Sequence, residues 1–184
     1  MEHEIAYFAY GTLQKGFPNW PDLAHLIGDP VGRYRTAEPH GLVVPREPGC
    51  ANPGCGLLHR MAAMVPVPGD VHVEGDLFEI DRAALAAVDE LESYDESRDP
   101  PGLYVRTEIA VLSLQDGTRR QAMAYRVRDP APWRALVASG SAEMLSRYHH
   151  GLAKAAPKRC CVEHPGHPAP HDTVDPLEGA SARA

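Results

Sequence analysis

A carboxylate that shares a helix face with leucine and valine side chains is the residue of this sequence best suited to act as a base. The run from Asp81 to Glu92 carries its apolar residues at helical spacing, and on a wheel of about 3.6 residues per turn Ala84, Leu85, Val88 and Leu91 fall on one arc. Glu92 falls on that arc too, whereas Glu90 projects from the opposite side and should be solvated. Loss of hydration raises a carboxyl above its ordinary pKa of about 4.3, toward a value useful for general-base work near neutral pH. The position also fits a frayed helix end, with Glu92 in solvent or paired with Arg98 or Arg106. The wheel alone does not choose between them.

A second feature is the tetrapeptide Tyr10-Gly11-Thr12-Leu13, which follows an apolar, β-branched and aromatic run from Ile5. Gly11 permits a sharp bend that would expose successive backbone N–H groups as a nest for a carboxylate or an oxyanion. Thr12 adds a hydroxyl, and Tyr10 a phenol whose ring can stay packed. A plain glycine turn after a buried strand reads the same way. The phosphate-loop patterns G-x-x-x-x-G-K-[ST] and G-x-G-x-x-G are both absent.

The elements that must position these residues follow from pattern. Ile5 to Tyr10 reads as a buried first strand, with short strands near Val31 to Thr36 and Leu42 to Val44 in a stretch rich in Pro and Gly. Ala62 to Val67 and Val71 to Ile80, separated by Pro68-Gly69-Asp70, predict a hairpin. Asp81 is the expected cap of the helix that ends at Glu92. Tyr104 to Leu114 and Arg120 to Arg128 predict a second hairpin about Asp116-Gly117, followed by short helices near Trp133 to Val137 and Ala142 to His149. Strands dominating around one central helix point to an α+β fold, small and barrel-like.

With 184 residues, 43% of them hydrophobic, the chain can bury one ordinary core, and we divide it into a catalytic domain over 1–153 and a Pro/Gly/His-rich tail over 154–184. The net charge of -7 and 18 scattered basic residues argue against a nucleic-acid partner. No run of about 18 apolar residues occurs, so we expect no membrane partner and a cytoplasmic location. Cys50, Cys55, Cys160 and Cys161, with His164, His167 and His171, include the donors of a structural zinc site. Adjacent cysteines are not a standard ligand spacing, which tilts the expectation to free thiols or one bridge between tail and body. The remaining histidines, among them His25, His40, His59 and His72, are scattered and read as surface or structural.

Taken together, four segments resemble the γ-glutamylcyclotransferase family in type, order and spacing. They are Tyr7 to Leu13 with Lys15 to Asn19, Val73 to Ile80, Val88 to Glu92, and Tyr104-Val105-Arg106. The resemblance covers about residues 4 to 128. Thr12 to Asn19 looks most like the γ-glutamylamine cyclotransferase branch, and the whole is also similar to the cyclotransferase that removes a γ-glutamyl protecting group in butirosin biosynthesis. The resemblance implies a small mixed β-barrel flanked by helices. It implies Glu92 as the base and Tyr10, Gly11, Thr12 and Leu13 as the loop that binds the γ-glutamyl group. Tyr104 and Tyr125 carry over as cavity-lining phenols, although each could equally be a core residue of its strand.

The implied partner is a small-molecule γ-glutamyl amide, and the implied reaction releases 5-oxoproline and a free amine with no metal or other cofactor required. The sequence departs from the family where Trp20 stands in place of a common His and Ser93 in place of a common Gly. A non-catalytic module that holds a small ligand in the same cavity is the alternative reading.

Overall fold

The computed structural model describes residues 4–46, 62–97 and 102–149. The tail, Arg98, Cys50, Cys55 and the boundary near residue 153 lie outside the described residues. In chain order the elements are β1 (Ile5–Ala9), α1 (Trp20–Ile27), β2 (Gly32–Thr36), β3 (His40–Pro45), β4 (Ala63–Pro66), β5 (Glu74–Ile80), α2 (Arg82–Leu91), β6 (Tyr104–Ser113), β7 (Arg119–Val127), α3 (Ala131–Ala138) and β8 (Ala142–Leu145).

Five strands close a barrel in the order β1-β5-β2-β6-β7, and a separate three-stranded sheet runs β4-β3-β8. All barrel neighbours are antiparallel except β1 and β7, which meet in parallel at Tyr7 and Met123. This is an α+β fold, a small mixed barrel flanked by helices, as the sequence predicts. β1 sits between two apolar clusters because its side chains alternate. Tyr7 and Ala9 join Val88, Tyr104 and Tyr125, while Phe8 and Tyr10 join Leu42 and Met64 of the second sheet.

α2 forms as its pattern requires. Asp81 caps it, its Oδ1 accepting from the backbone N–H of Ala84 at 2.8 Å, and Ala84, Leu85 and Val88 are buried. Leu91, placed by the wheel on the buried arc, is instead 41% exposed, because the chain leaves helical geometry just beyond it. Three other expectations change. Ala63–Pro66 and Glu74–Ile80 are strands but not a hairpin: β4 pairs with β3, and β5 with β1 and β2. The Pro68-Gly69-Asp70 turn therefore hands the chain from one sheet to the other. Ala142 to Leu145 is a strand on β3 rather than a helix. Residues Trp20–Ile27, read as part of a loop-rich stretch, form a helix with Asn19 at its cap and Pro21 in its first turn. Among the described residues no helix is long and apolar enough to cross a membrane.

Candidate active site

The end of β1 is set by a close approach. A Cβ on Gly75 would lie 2.3 Å from the carbonyl oxygen of Ala9 and 2.8 Å from the Phe8 ring, so only glycine lets β5 come this near. Beyond Ala9 the chain turns, with the Gln14 N–H donating to the Gly11 carbonyl at 3.2 Å and the Asn19 N–H to the Thr12 carbonyl at 3.1 Å. Side chains finish the loop. Asn19 donates from its amide to Thr12 Oγ1 at 2.8 Å, and the buried Gln14 donates to the carbonyls of Tyr10 at 3.0 Å and Gly11 at 3.2 Å.

Asp76 accepts from the Lys15 backbone N–H at 2.9 Å and is reached by Arg33 at 3.5 Å. With the carbonyls on either side of the bend so engaged, the N–H groups of Gly11, Thr12 and Leu13 donate to no described residue. Three successive unengaged donors are what a nest for an anion requires.

The last turn of α2 delivers Glu92. Ser93 adopts a left-handed φ of 52°. Its N–H returns to the Glu90 carbonyl at 3.1 Å, and that of Tyr94 to the Asp89 carbonyl at 2.8 Å. This pair of bonds is a common helix stop that uses a left-handed residue just past the cap. It leaves Glu92 at the cap, with part of its surface accessible but enough protein around the carboxyl for burial to push its pKa up to about 7. No other influence on that pKa matches burial.

Four tyrosines lie within electrostatic reach of Glu92, namely Tyr7, Tyr10, Tyr104 and Tyr125. Burial, reinforced by the nearby carboxyl, raises the pKa of each, so they stay neutral phenols. Tyr10 donates its hydroxyl to the Tyr125 carbonyl at 2.6 Å, and Tyr125 donates to Asp89 Oδ1 at 2.5 Å. Arg106 pairs with the other oxygen of Asp89 and stacks over the Tyr94 ring at 4.9 Å. Glu92 therefore does not take Arg106 as its partner, one of the alternatives left open by the wheel.

Of the residues singled out from sequence, Glu92, Tyr10, Tyr104 and Tyr125 come together here, and Gly11, Thr12 and Leu13 form the loop at the end of β1 that Tyr10 opens. Sequence reasoning missed Tyr7, Gln14, Asp76, Asp89 and Arg106 as parts of this assembly. Tyr7, Asp76, Asp89 and Arg106 stood inside the quoted segments, but nothing in the local pattern marks Asp76, or Gln14 just past the loop, as one of its braces.

A small mixed barrel with an unengaged N–H loop at the end of its first strand and a desolvated carboxyl at a helix cap defines a class of compact α+β proteins. The model for the family described as "Gamma-glutamyl cyclotransferase, AIG2-like" matches residues 7–142, and the chain belongs to that family. It is 34% identical to the γ-glutamylaminecyclotransferase of Homo sapiens over 113 residues, which is 59% of this chain and 63% of that protein. Against the bovine protein of the same name the identity is 34% over 56% of this chain, and the match spans 54% of that relative's length. The chain thus spans less than two thirds of either. A crystal structure of an AIG2-like protein from Mus musculus superimposes with a TM-score of 0.51 at 30% identity, covering 68% of this chain and 78% of that one.

Proposed function

We propose that this protein is a γ-glutamylcyclotransferase that acts on γ-glutamyl amides of amines, with Glu92 as its base. The observation that carries the reading is Glu92 itself, a carboxyl pushed up to about 7 by burial at a helix cap, beside neutral phenols. A pure binding module gains nothing from a desolvated base, and family membership supports the same chemistry. In the reaction the α-amine of the glutamyl group attacks its own γ-carbonyl carbon. The new C–N bond closes the five-membered ring of 5-oxoproline, and the old amide C–N bond breaks.

An α-ammonium cannot attack until it loses a proton, which Glu92 accepts; the protonated acid then gives that proton to the departing nitrogen, and the second proton shed by the attacking nitrogen follows it through the same carboxylate, so that the ring closes as a neutral lactam and the amine leaves as its ammonium. The N–H groups of Gly11, Thr12 and Leu13 hold the substrate carboxylate or the oxyanion of the tetrahedral intermediate. Tyr10, Tyr104 and Tyr125 line the cavity and exclude water. Because the reaction is intramolecular, holding the glutamyl arm folded supplies much of the rate.

Every group used comes from the chain or the substrate, so the proposal includes no metal or organic cofactor; a cytoplasmic location and removal of a protecting group in a biosynthetic pathway belong to it as well. Incubating the protein with a panel of γ-glutamyl amines and γ-glutamyl amino acids, with 5-oxoproline followed by mass spectrometry, tests the reading. Wild type should form 5-oxoproline from at least one amine conjugate, and Glu92→Gln should lose about 100- to 10,000-fold in rate with its circular dichroism unchanged. Glutamate as the product would mean hydrolysis, and no product from any member would favour the binding module.

A further inference from the structure

Past β8 the chain stays tied to the barrel. The Glu74 backbone N–H donates to the Ser146 carbonyl at 2.7 Å, and Glu74 and Arg147 form a parallel bridge. Glu74 precedes Gly75, the residue whose close approach to Ala9 sets the end of β1. This tie seats Tyr148 where the loop of free N–H groups begins. Its ring lies 5.5 Å from that of Phe17 and shares a buried cluster with Tyr10. Tyr10 and Phe17 flank Gly11, Thr12 and Leu13 in the chain.

The hydroxyl of Tyr148 is the group without a task. The residue is only 3% exposed, yet its hydroxyl donates to no described residue. The oxygen is not walled in either, since among the described side chains the unpartnered polar atoms sealed from solvent are Trp20 Nε1 and Arg126 Nε. A buried ring whose hydroxyl is neither partnered nor sealed faces a cavity, where a ligand or water can complete it. Tyr104 lies within electrostatic reach of both Glu92 and Tyr148, which joins the Tyr148 hydroxyl to the phenols around the base. Burial raises Tyr148 to about 12, so it stays a neutral donor. Glu92 bears on the other four tyrosines and not on this one, which therefore stands farther from the base.

We propose that Tyr148 is a substrate-binding residue of the γ-glutamyl site, its hydroxyl donating to the α-carboxylate held by the N–H groups of Gly11, Thr12 and Leu13. This rests on the cyclotransferase reading and assigns those N–H groups to the substrate carboxylate. The α-amine and the scissile carbonyl must lie at Glu92, whereas Tyr148 sits on the loop side of the site, away from it. A phenol supplies a hydrogen bond to the carboxylate without burying a second charge. Tyr148 stands beyond residues 7–142, which carry the family match, so the match assigns it nothing.

Tyr148→Phe keeps the ring against Phe17 and removes a hydroxyl that supports no other described residue, so the variant should fold with an unchanged urea midpoint. For each γ-glutamyl amine that the wild type cyclises, it should raise KM by about tenfold or more, by one factor for all amines, with kcat within about threefold. Isothermal titration isolates the carboxylate. 5-Oxoproline should bind the variant about tenfold more weakly, whereas 2-pyrrolidone, the same ring without the carboxylate, should bind both proteins alike. An unchanged KM, a factor that differs from amine to amine, or an equal loss for the two lactams would each overturn the proposal, while wild-type turnover keeps the cyclotransferase reading in place. No 5-oxoproline from any amide in the wild type would instead remove that reading, and this proposal with it.

Discussion

Glu92 ties the chemistry of the site to its stability, because the burial that makes it a useful base also opposes its ionisation. Its pKa rises from 4.5 to about 7 in the folded state. Between those two values the folded chain holds a proton that the unfolded chain has released, so stability should fall as pH rises through this window, and level off above it. The full shift corresponds to about 3 kcal/mol at most, lessened by the part of the residue that water reaches. Urea denaturation at pH 4.5 and pH 8 should show this loss in wild type and not in Glu92→Gln, whereas parallel slopes in the two proteins would refute it. Turnover should move the other way, kcat/KM rising through an apparent pKa near 7 as the base ionises. Glu92 was legible in the sequence because one helix face carried both its apolar neighbours and itself. Asp76 was not, since what makes it a brace is the chain across from it, the Lys15 backbone and Arg33, and Gln14 was not, since its amide reaches the Tyr10 and Gly11 carbonyls only once the chain has turned.

At the scale of elements, the placement of Glu92 depends on how α2 stops. Ser93 holds a left-handed φ of 52°, which an L-residue adopts at a cost and glycine adopts freely. Ser93→Gly should therefore raise stability by about 0.5–1 kcal/mol, read as a higher urea midpoint with an unchanged slope. Gly102 packs on the same turn: a Cβ there would meet the Ser93 carbonyl at 2.9 Å, and backbone cannot swing aside as a side chain can. Gly102→Ala should destabilise by about 1–3 kcal/mol and lower kcat more than it changes KM, since it displaces the turn that aims the base. An unaltered kcat would separate that turn from the chemistry.

The elements read correctly from sequence were those with local causes, α2 with its Asp81 cap and the β6–β7 hairpin about Asp116-Gly117. Those misread owe their form to distant partners. Ala142-Glu143-Met144-Leu145 is composed of good helix formers and becomes a strand only by pairing with β3. The Pro68-Gly69-Asp70 signal describes a turn truly, but which strands then pair is decided by β1, β2 and β3. α1 was hidden because Pro21 reads as a breaker unless it is recognised as a first-turn residue.

For the molecule as a whole, the question is whether barrel and second sheet are one cooperative unit. They hydrogen-bond as separate sheets, yet β1 belongs to both cores: Phe8 and Tyr10 pack with Leu42 and Met64, while Tyr7 and Ala9 face the cluster that holds Val88 and Trp133. Loosening the second sheet therefore exposes Phe8 and Met64, each fully buried, and removes the support behind Tyr10 at the mouth of the loop. Such sharing predicts a single all-or-none transition. The two tryptophans allow a direct test, because Trp20 starts α1 near the loop and Trp133 lies in α3 beside the second sheet. In Trp133→Phe the fluorescence of Trp20, and in Trp20→Phe that of Trp133, should follow urea with the same midpoint as the far-ultraviolet circular dichroism of the same variant. A midpoint for Trp133 clearly below that of the circular dichroism would show the second sheet releasing first. The loop at Tyr10 would then lose its backing before the barrel opened, and activity would fade at the lower of the two urea concentrations.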